Sequence, residues 1–188
     1  MSVWEITTSL IDKAAMLVVA DDDESDFERS EELAKRFDLA GVPLHWAVRP
    51  KLGVFVDKRS RKPKPRADIS PFKPGALVLS EKAHQALGDF LAHFGQLLEV
   101  DVEGQAEYYY NVTILIPCLD RARSKIQPFG FVETAVLDEA AVPATPAVFK
   151  DPAIPTSIYV NDAAKASLEE RIAERGLTGM GFRRASVD

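Results

Sequence analysis

The sequence predicts an α+β fold, a mixed and mainly antiparallel sheet with a few packed helices, and three observations carry that prediction. A strand, cap and helix unit occurs twice, as Ala76-Leu77-Val78-Leu79-Ser80-Glu81-Lys82-Ala83-His84-Gln85-Ala86-Leu87 and as Ser157-Ile158-Tyr159-Val160-Asn161-Asp162-Ala163-Ala164-Lys165-Ala166-Ser167-Leu168. Each copy runs an apolar strand into a small polar residue suited to cap a helix, then an acid favoured by the helix dipole, then a helical apolar stripe. Between the units, Leu97–Val102 and 107–116 read as two strands around the turn Glu103-Gly104-Gln105. Residues 117–156 carry Pro128, Pro143, Pro146, Pro152 and Pro155 between short apolar runs, which predicts strands and loops without long helices.

Taken in order, Val3–Ile6 alternates weakly like a short strand, and Ala15–Ala20 is a fuller apolar one that stops at Asp21-Asp22-Asp23-Glu24. Ser25 and Glu28 stand at capping-box spacing before a helix expected over 26–40, with Phe27, Leu33, Ala34 and Phe37 inward and Gly41 and Pro43 as stop signals. Leu44–Val48 and Gly53–Asp57 look like a hairpin around Arg49-Pro50-Lys51-Leu52. The stretch 58–75 holds Lys58-Arg59-Ser60-Arg61-Lys62-Pro63-Lys64-Pro65-Arg66 and then Pro71 and Pro74; it has too little apolar surface to pack and reads as a loop or linker. This organisation divides the chain into an N-terminal α+β subdomain over 1–57, a basic proline-rich linker or loop over 58–75, and a C-terminal α+β domain over 76–188.

The first repeated helix continues through Phe90, Leu91 and Phe94 to a stop at Gly95. On the following strand, alternation puts Tyr108, Tyr110, Val112, Ile114 and Ile116 on a buried face and sends Tyr109 to the other side, where an exposed tyrosine makes a good interface anchor. The second repeated helix places Ala164, Leu168 and Ile172 on one face and stops at Gly176, with Met180–Arg183 as a last strand. Two copies do not make a solenoid, which needs about three or more repeats, so the units read as two βα elements on one mixed sheet.

Composition narrows the function classes. A net charge of -6 and a pI near 5.2 argue against nucleic-acid binding, which needs concentrated positive field. The single cysteine, Cys118, lies in the apolar run Ile114–Leu119 and reads as a buried thiol. Residues 1–20 contain Glu5 and Asp12 and lack both a basic leading region and a long apolar run, so a cytoplasmic protein without a membrane partner is expected.

The groupings that would carry chemistry are weak. Asp21 and Asp23 at a strand exit occupy the place where Mg²⁺-dependent phosphoryl-transfer enzymes put carboxylates, but the supporting acids and lysine motif do not follow, and the bland reading is an acid-rich helix start. His84 and His93 are nine residues apart on one helix, not the spacing of a shared metal, and Cys118 has no evident histidine partner. Gly176, Gly179 and Gly181 follow a helix rather than open one, so they do not cradle phosphate. The cations from Lys58 to Arg66 lack interleaved aromatics and read either as a solvated loop or as a docking arm for an acidic partner. No cofactor or metal is expected.

The segment from about Pro74 to Phe182 resembles a known group, the immunity-protein family numbered eleven in bacterial polymorphic toxin systems, formerly a domain of unknown function. The resemblance rests on the ordered series Leu77-Val78-Leu79-Ser80-Glu81-Lys82-Ala83, Tyr109-Tyr110-Asn111-Val112, Cys118-Leu119-Asp120, Pro155-Thr156-Ser157-Ile158-Tyr159-Val160-Asn161 and Gly176-Leu177-Thr178-Gly179-Met180-Gly181-Phe182. It implies a non-catalytic cytoplasmic protein that binds and neutralises a cognate secreted antibacterial toxin, and it supplies no contact residues. The expected toxin-binding residues therefore come from charge and exposure: Asp21, Asp22, Asp23, Glu24, Arg59, Arg61, Lys62, Lys64 and Tyr109. The alternatives are a Mg-dependent enzyme using Asp21 and Asp23, or an interaction module of another assembly; the oligomeric state is open.

Overall fold

The computed structural model describes residues 1–8, 14–20, 36–56 and 64–185. Among these residues the chain runs through β1 (Val3–Thr7), β2 (Leu17–Val19), β3 (Lys51–Val54), β4 (Ile69–Lys73), β5 (Ala76–Leu79), α1 (Glu81–Leu91), β6 (Gly95–Val102), β7 (Gln105–Val112), β8 (Lys125–Ile126) and β9 (Val132–Thr134). A short 3₁₀ turn at Glu139–Ala141 leads to β10 (Val148–Asp151), β11 (Ile154–Asn161), α2 (Asp162–Arg175) and β12 (Gly181–Arg184). The fold is α+β, with strands paired mainly antiparallel.

A six-stranded sheet has the order β2-β3-β6-β7-β5-β4, in which only β3 and β6 run parallel. Its edges curl toward each other, and the Ala15 amide donates to the Pro65 carbonyl at 2.9 Å between the segments that lead into β2 and β4. A four-stranded antiparallel sheet has the order β10-β11-β1-β12. The two are stitched after Val112: the chain leaves β7, and Ile114 and Ile116 bracket Lys150 of β10, accepting from and donating to its backbone at 3.0 and 2.9 Å.

Strand periodicity sorts the side chains into three cores. On β5, Leu77 and Leu79 face the helices while Ala76 and Val78 face the inside of the curled sheet; on β7, Tyr110 and Val112 go one way and Tyr109 the other. The helix-lined core joins both sheets through Leu79, Leu87, Leu91, Ile158, Val160 and Leu168. The second fills the curled sheet with Leu17, Leu52, Phe72, Val78, Val100 and Tyr109 under Phe37 and Leu44. The third backs the four-stranded sheet with Val3, Cys118, Leu137, Phe149 and Tyr159.

Both repeated units form as expected. Ser80 caps α1 by accepting from the Ala83 amide at 3.2 Å, and Asn161 caps α2 by accepting from the Ala164 amide at 2.9 Å. Gly176 ends α2 in the left-handed region at φ 56°, where a side chain would be strained. The turn Glu103-Gly104 joins β6 to β7 with positive φ at both positions (52° and 87°), the two-residue geometry that matches strand twist.

Several expectations are corrected. The two βα units lie on different sheets, because β5 pairs with β4 and β7 while β11 pairs with β10 and β1; what they share is the core between α1 and α2. The proposed linker contains β4, an edge strand in which Pro71 lacks only an outward-facing donor. The N-terminal residues are no separate subdomain: β1 sits inside the sheet made by β10, β11 and β12, and β2 and β3 join the other sheet. Leu44–Val48 is not a strand, since the Gln96 side chain takes both the Leu44 amide (2.7 Å) and its carbonyl (3.2 Å), while the expected turn residues Lys51 and Leu52 are the strand. Gly95 starts β6 instead of stopping the helix, and β7 ends at Val112, which leaves Ile114 38% exposed. The helix expected over 26–40 lies largely outside the described residues.

Candidate protein-binding surface

Of the expected contact residues, Asp21, Asp22, Asp23, Glu24, Arg59, Arg61 and Lys62 lie outside the described residues. Lys64 is exposed. Tyr109 is the clear correction: it is fully buried, because the six-stranded sheet is covered on both faces and its second face is core, not surface. Its ring meets Phe37 at 5.2 Å, Trp46 at 5.7 Å and Phe72 at 6.1 Å between centroids, and its hydroxyl has no hydrogen-bond partner among the described residues. Burial pushes that hydroxyl's pKa well above the usual tyrosine value.

Large apolar side chains reach solvent at several places, among them Val48 (69%) and Phe55 (50%), and the two most exposed of the described phenylalanines lie together. β8 and β9 form a small two-stranded hairpin whose tip, Gln127-Pro128-Phe129-Gly130-Phe131, leaves Phe129 80% and Phe131 60% exposed. Its backbone is closed tightly. Gln127 donates to the Phe131 carbonyl and Gly130 to the Gln127 carbonyl, both at 2.8 Å, with Gly130 at φ 89°.

The stem is as well held. Lys125 pairs with Glu133 across the strands at 2.6 Å. The Asp120 carboxylate accepts from the Ala122 and Arg123 amides and pairs with Arg123 Nε at 2.7 Å, contacts that hold its pKa below the usual carboxylate value. Ser124 and Val136 exchange hydrogen bonds, and Leu119 bridges Leu137 at the base. That base enters the third core beside Cys118, whose amide, with that of Leu119, donates to Asp151 Oδ2 at 2.7 Å. Burial, then the Asp151 charge, pushes the Cys118 thiol up to about 12, which makes it an inert packing group and fits the sequence reading.

The hairpin therefore presents two exposed aromatic rings on a hydrogen-bonded turn, with Asp120–Arg123 and Lys125–Glu133 paired in the stem. Sequence reasoning noted the run Phe129–Val132 only as a short interrupted apolar stretch. The available signal was the placing of Pro128 and Gly130 on either side of Phe129, turn residues that mark an apolar turn rather than a core segment.

Other concavities are less suggestive of chemistry. A polar recess of about 420 Å³ includes Arg66 and Glu107, but these neutralise each other in a two-pronged ion pair at 2.8 and 2.6 Å. An apolar cleft of about 440 Å³ lies between the β4–β5 turn and the strands β1 and β11. His84 stacks on Tyr108 at 3.6 Å and His93 Nδ1 meets the Asp89 carbonyl at 2.8 Å. Among the described residues no group of three or more His, Cys, Asp or Glu is placed to hold a metal, and no helix is long and apolar enough to cross a membrane. No protein-family model matches the chain, and no curated protein matches it.

Proposed function

We propose that this chain works by binding another protein, neutralising a cognate toxin or effector by stoichiometric contact in the cytoplasm of the producing cell, in the manner of a bacterial immunity protein. The observation that supports this reading is the braced hairpin with Phe129 and Phe131 in solvent. Aromatic side chains on a preorganised loop lose little entropy on binding and bury about 150–250 Å² each, the profile of interface anchors. The resemblance of residues 74–182 to an immunity family supports the same reading.

Co-expression with the product of the neighbouring gene in a sensitive host tests it. The expected result is rescue of growth and a complex with submicromolar Kd, about -8 kcal/mol or tighter. Absence of both rescue and complex formation rejects the function.

A further inference from the structure

Lys73 and Lys150 come from different sheets, at the edge strands β4 and β10, and both reach the same three-residue stretch. Lys73 Nζ donates to the Phe37 carbonyl, and Lys150 Nζ donates to the Leu39 carbonyl at 3.1 Å. That stretch closes one end of the curled six-stranded sheet, with the Phe37 ring 4.8 Å from Phe72, 5.2 Å from Tyr109 and 5.3 Å from Trp46. Trp46 is tied to the same place, its indole N–H donating to the Arg36 carbonyl at 2.9 Å. Lys150 is only 1% exposed, an unusual position for an ammonium group with no directly bonded carboxylate among the described residues.

We propose that Lys73 and Lys150 form a two-armed, proton-sensitive latch that holds residues 37–39 over the aromatic end of the curled sheet. This inference stands apart from the binding function proposed above, since it needs no partner. Its sign follows from linkage. While the latch is closed, Lys150 is out of water; when residues 37–39 lift away, the same amine is solvated. Protonation therefore favours the open form and loss of the proton favours the closed one.

The charged groups acting on Lys150 agree with this direction. Burial first and the Lys73 charge second lower its pKa, against the opposing pull of Asp38 on the latched stretch, to about 8. Lys73 is itself lowered by burial and raised by Asp38. The segment 114–116, which flanks Lys150 on its outer side, carries no ionisable side chain, and Asp151, next in β10, is engaged by the amides of Cys118, Leu119 and Ala153. With an ordinary lysine value of 10.5 in the open form, the latch tightens as pH rises from about 8 toward 10.5.

The Trp46 indole N–H reads the latch directly. The chain has two tryptophans, so two indole signals appear in a nitrogen-15 spectrum, and Trp4→Phe assigns them. In the unmodified chain the Trp46 signal is expected to move with a midpoint near pH 8, and its solvent accessibility to a neutral quencher to fall through the same range. Lys150→Met should make both flat, because no titrating amine remains at that position. Lys150→Arg, charged throughout, should make them flat at the more open value. Lys73→Met removes a like charge and should raise the midpoint without abolishing it. A Trp46 profile in Lys150→Met that titrates like the unmodified chain overturns the proposal, as does a midpoint unmoved by Lys73→Met. If Lys150→Met does not fold, the Lys73→Met midpoint decides alone.

Discussion

The helix-lined core and the β8–β9 tip are both built from large apolar side chains, yet one is closed to water and the other is nearly all in it. Leu87 and Leu91 are fully buried between α1, α2 and the sheets; Phe129 and Phe131 stand 80% and 60% exposed. What separates them is periodicity and the backbone that carries it. On α1 the apolar residues recur every three or four positions and meet a matching face; at the tip, Pro128 and Gly130 turn the chain too sharply for either ring to fold back. Apolar residues that repeat with structure are used for folding, and apolar residues placed on a braced turn are available for binding.

The largest effect should come from the core side of this comparison. Leu87→Ala removes a fully buried side chain from the helix-lined core and should cost about 2–5 kcal/mol, read from urea unfolding. A cost under about 1 kcal/mol would mean that the two sheets do not depend on the helix-lined core for their union.

The two helix caps differ in the same instructive way. Among the described residues the Ser80 side chain serves only the Ala83 amide, whereas the buried Asn161 also accepts from the Ala147 amide at 3.2 Å and donates to the Pro143 and Thr145 carbonyls at 2.8 and 2.7 Å. Asn161→Ala should therefore cost about 3 kcal/mol, and Ser80→Ala about 1 kcal/mol. Equal losses in thermal melts would show that the 143–147 segment gains nothing from the second cap.

Tyr109 sharpens the contrast between buried and exposed rings. Its ring belongs to the core, but its hydroxyl has no hydrogen-bond partner there among the described residues. Tyr109→Phe should stabilise the chain by about 1 kcal/mol, the desolvation of an unpaired group. A loss instead would show that the hydroxyl has a partner, such as an ordered water, in solution.

Legibility followed the same division. The strand-cap-helix units, their caps, the Gly176 stop and the Glu103-Gly104 hairpin were readable because each is fixed by a local rule of period, capping or turn geometry. Pairing partners were not: that β5 and β11 sit in different sheets, or that β1 lies between β11 and β12, depends on contacts among residues far apart in sequence. Tyr109 shows the limit most plainly, because alternation assigned its face correctly while only the packing of Phe37, Leu44 and Trp46 over that face decided that it was core. Surface reading from the sequence weighed charge, at 21–24 and 58–66, and passed over Phe129 and Phe131, which lie in a proline-rich stretch of short apolar runs.

The smallest expected effect on folding is the most informative about function. The hairpin is held by Lys125–Glu133, Asp120–Arg123, the Ser124–Val136 exchange and the Gln127–Phe131 backbone bond, none of which uses an aromatic ring. Phe129→Ser with Phe131→Ser should therefore leave the melting midpoint nearly unchanged, each within about 0.5 kcal/mol, as for exposed positions generally. Binding should behave oppositely. Anchor residues commonly contribute about 2 kcal/mol or more each, so on the proposed function the double variant should lose upward of a hundredfold in affinity for the effector and fail to protect the host. A variant that melts early yet still protects would return these rings to the structural side of the comparison and move the interface to another face of the molecule.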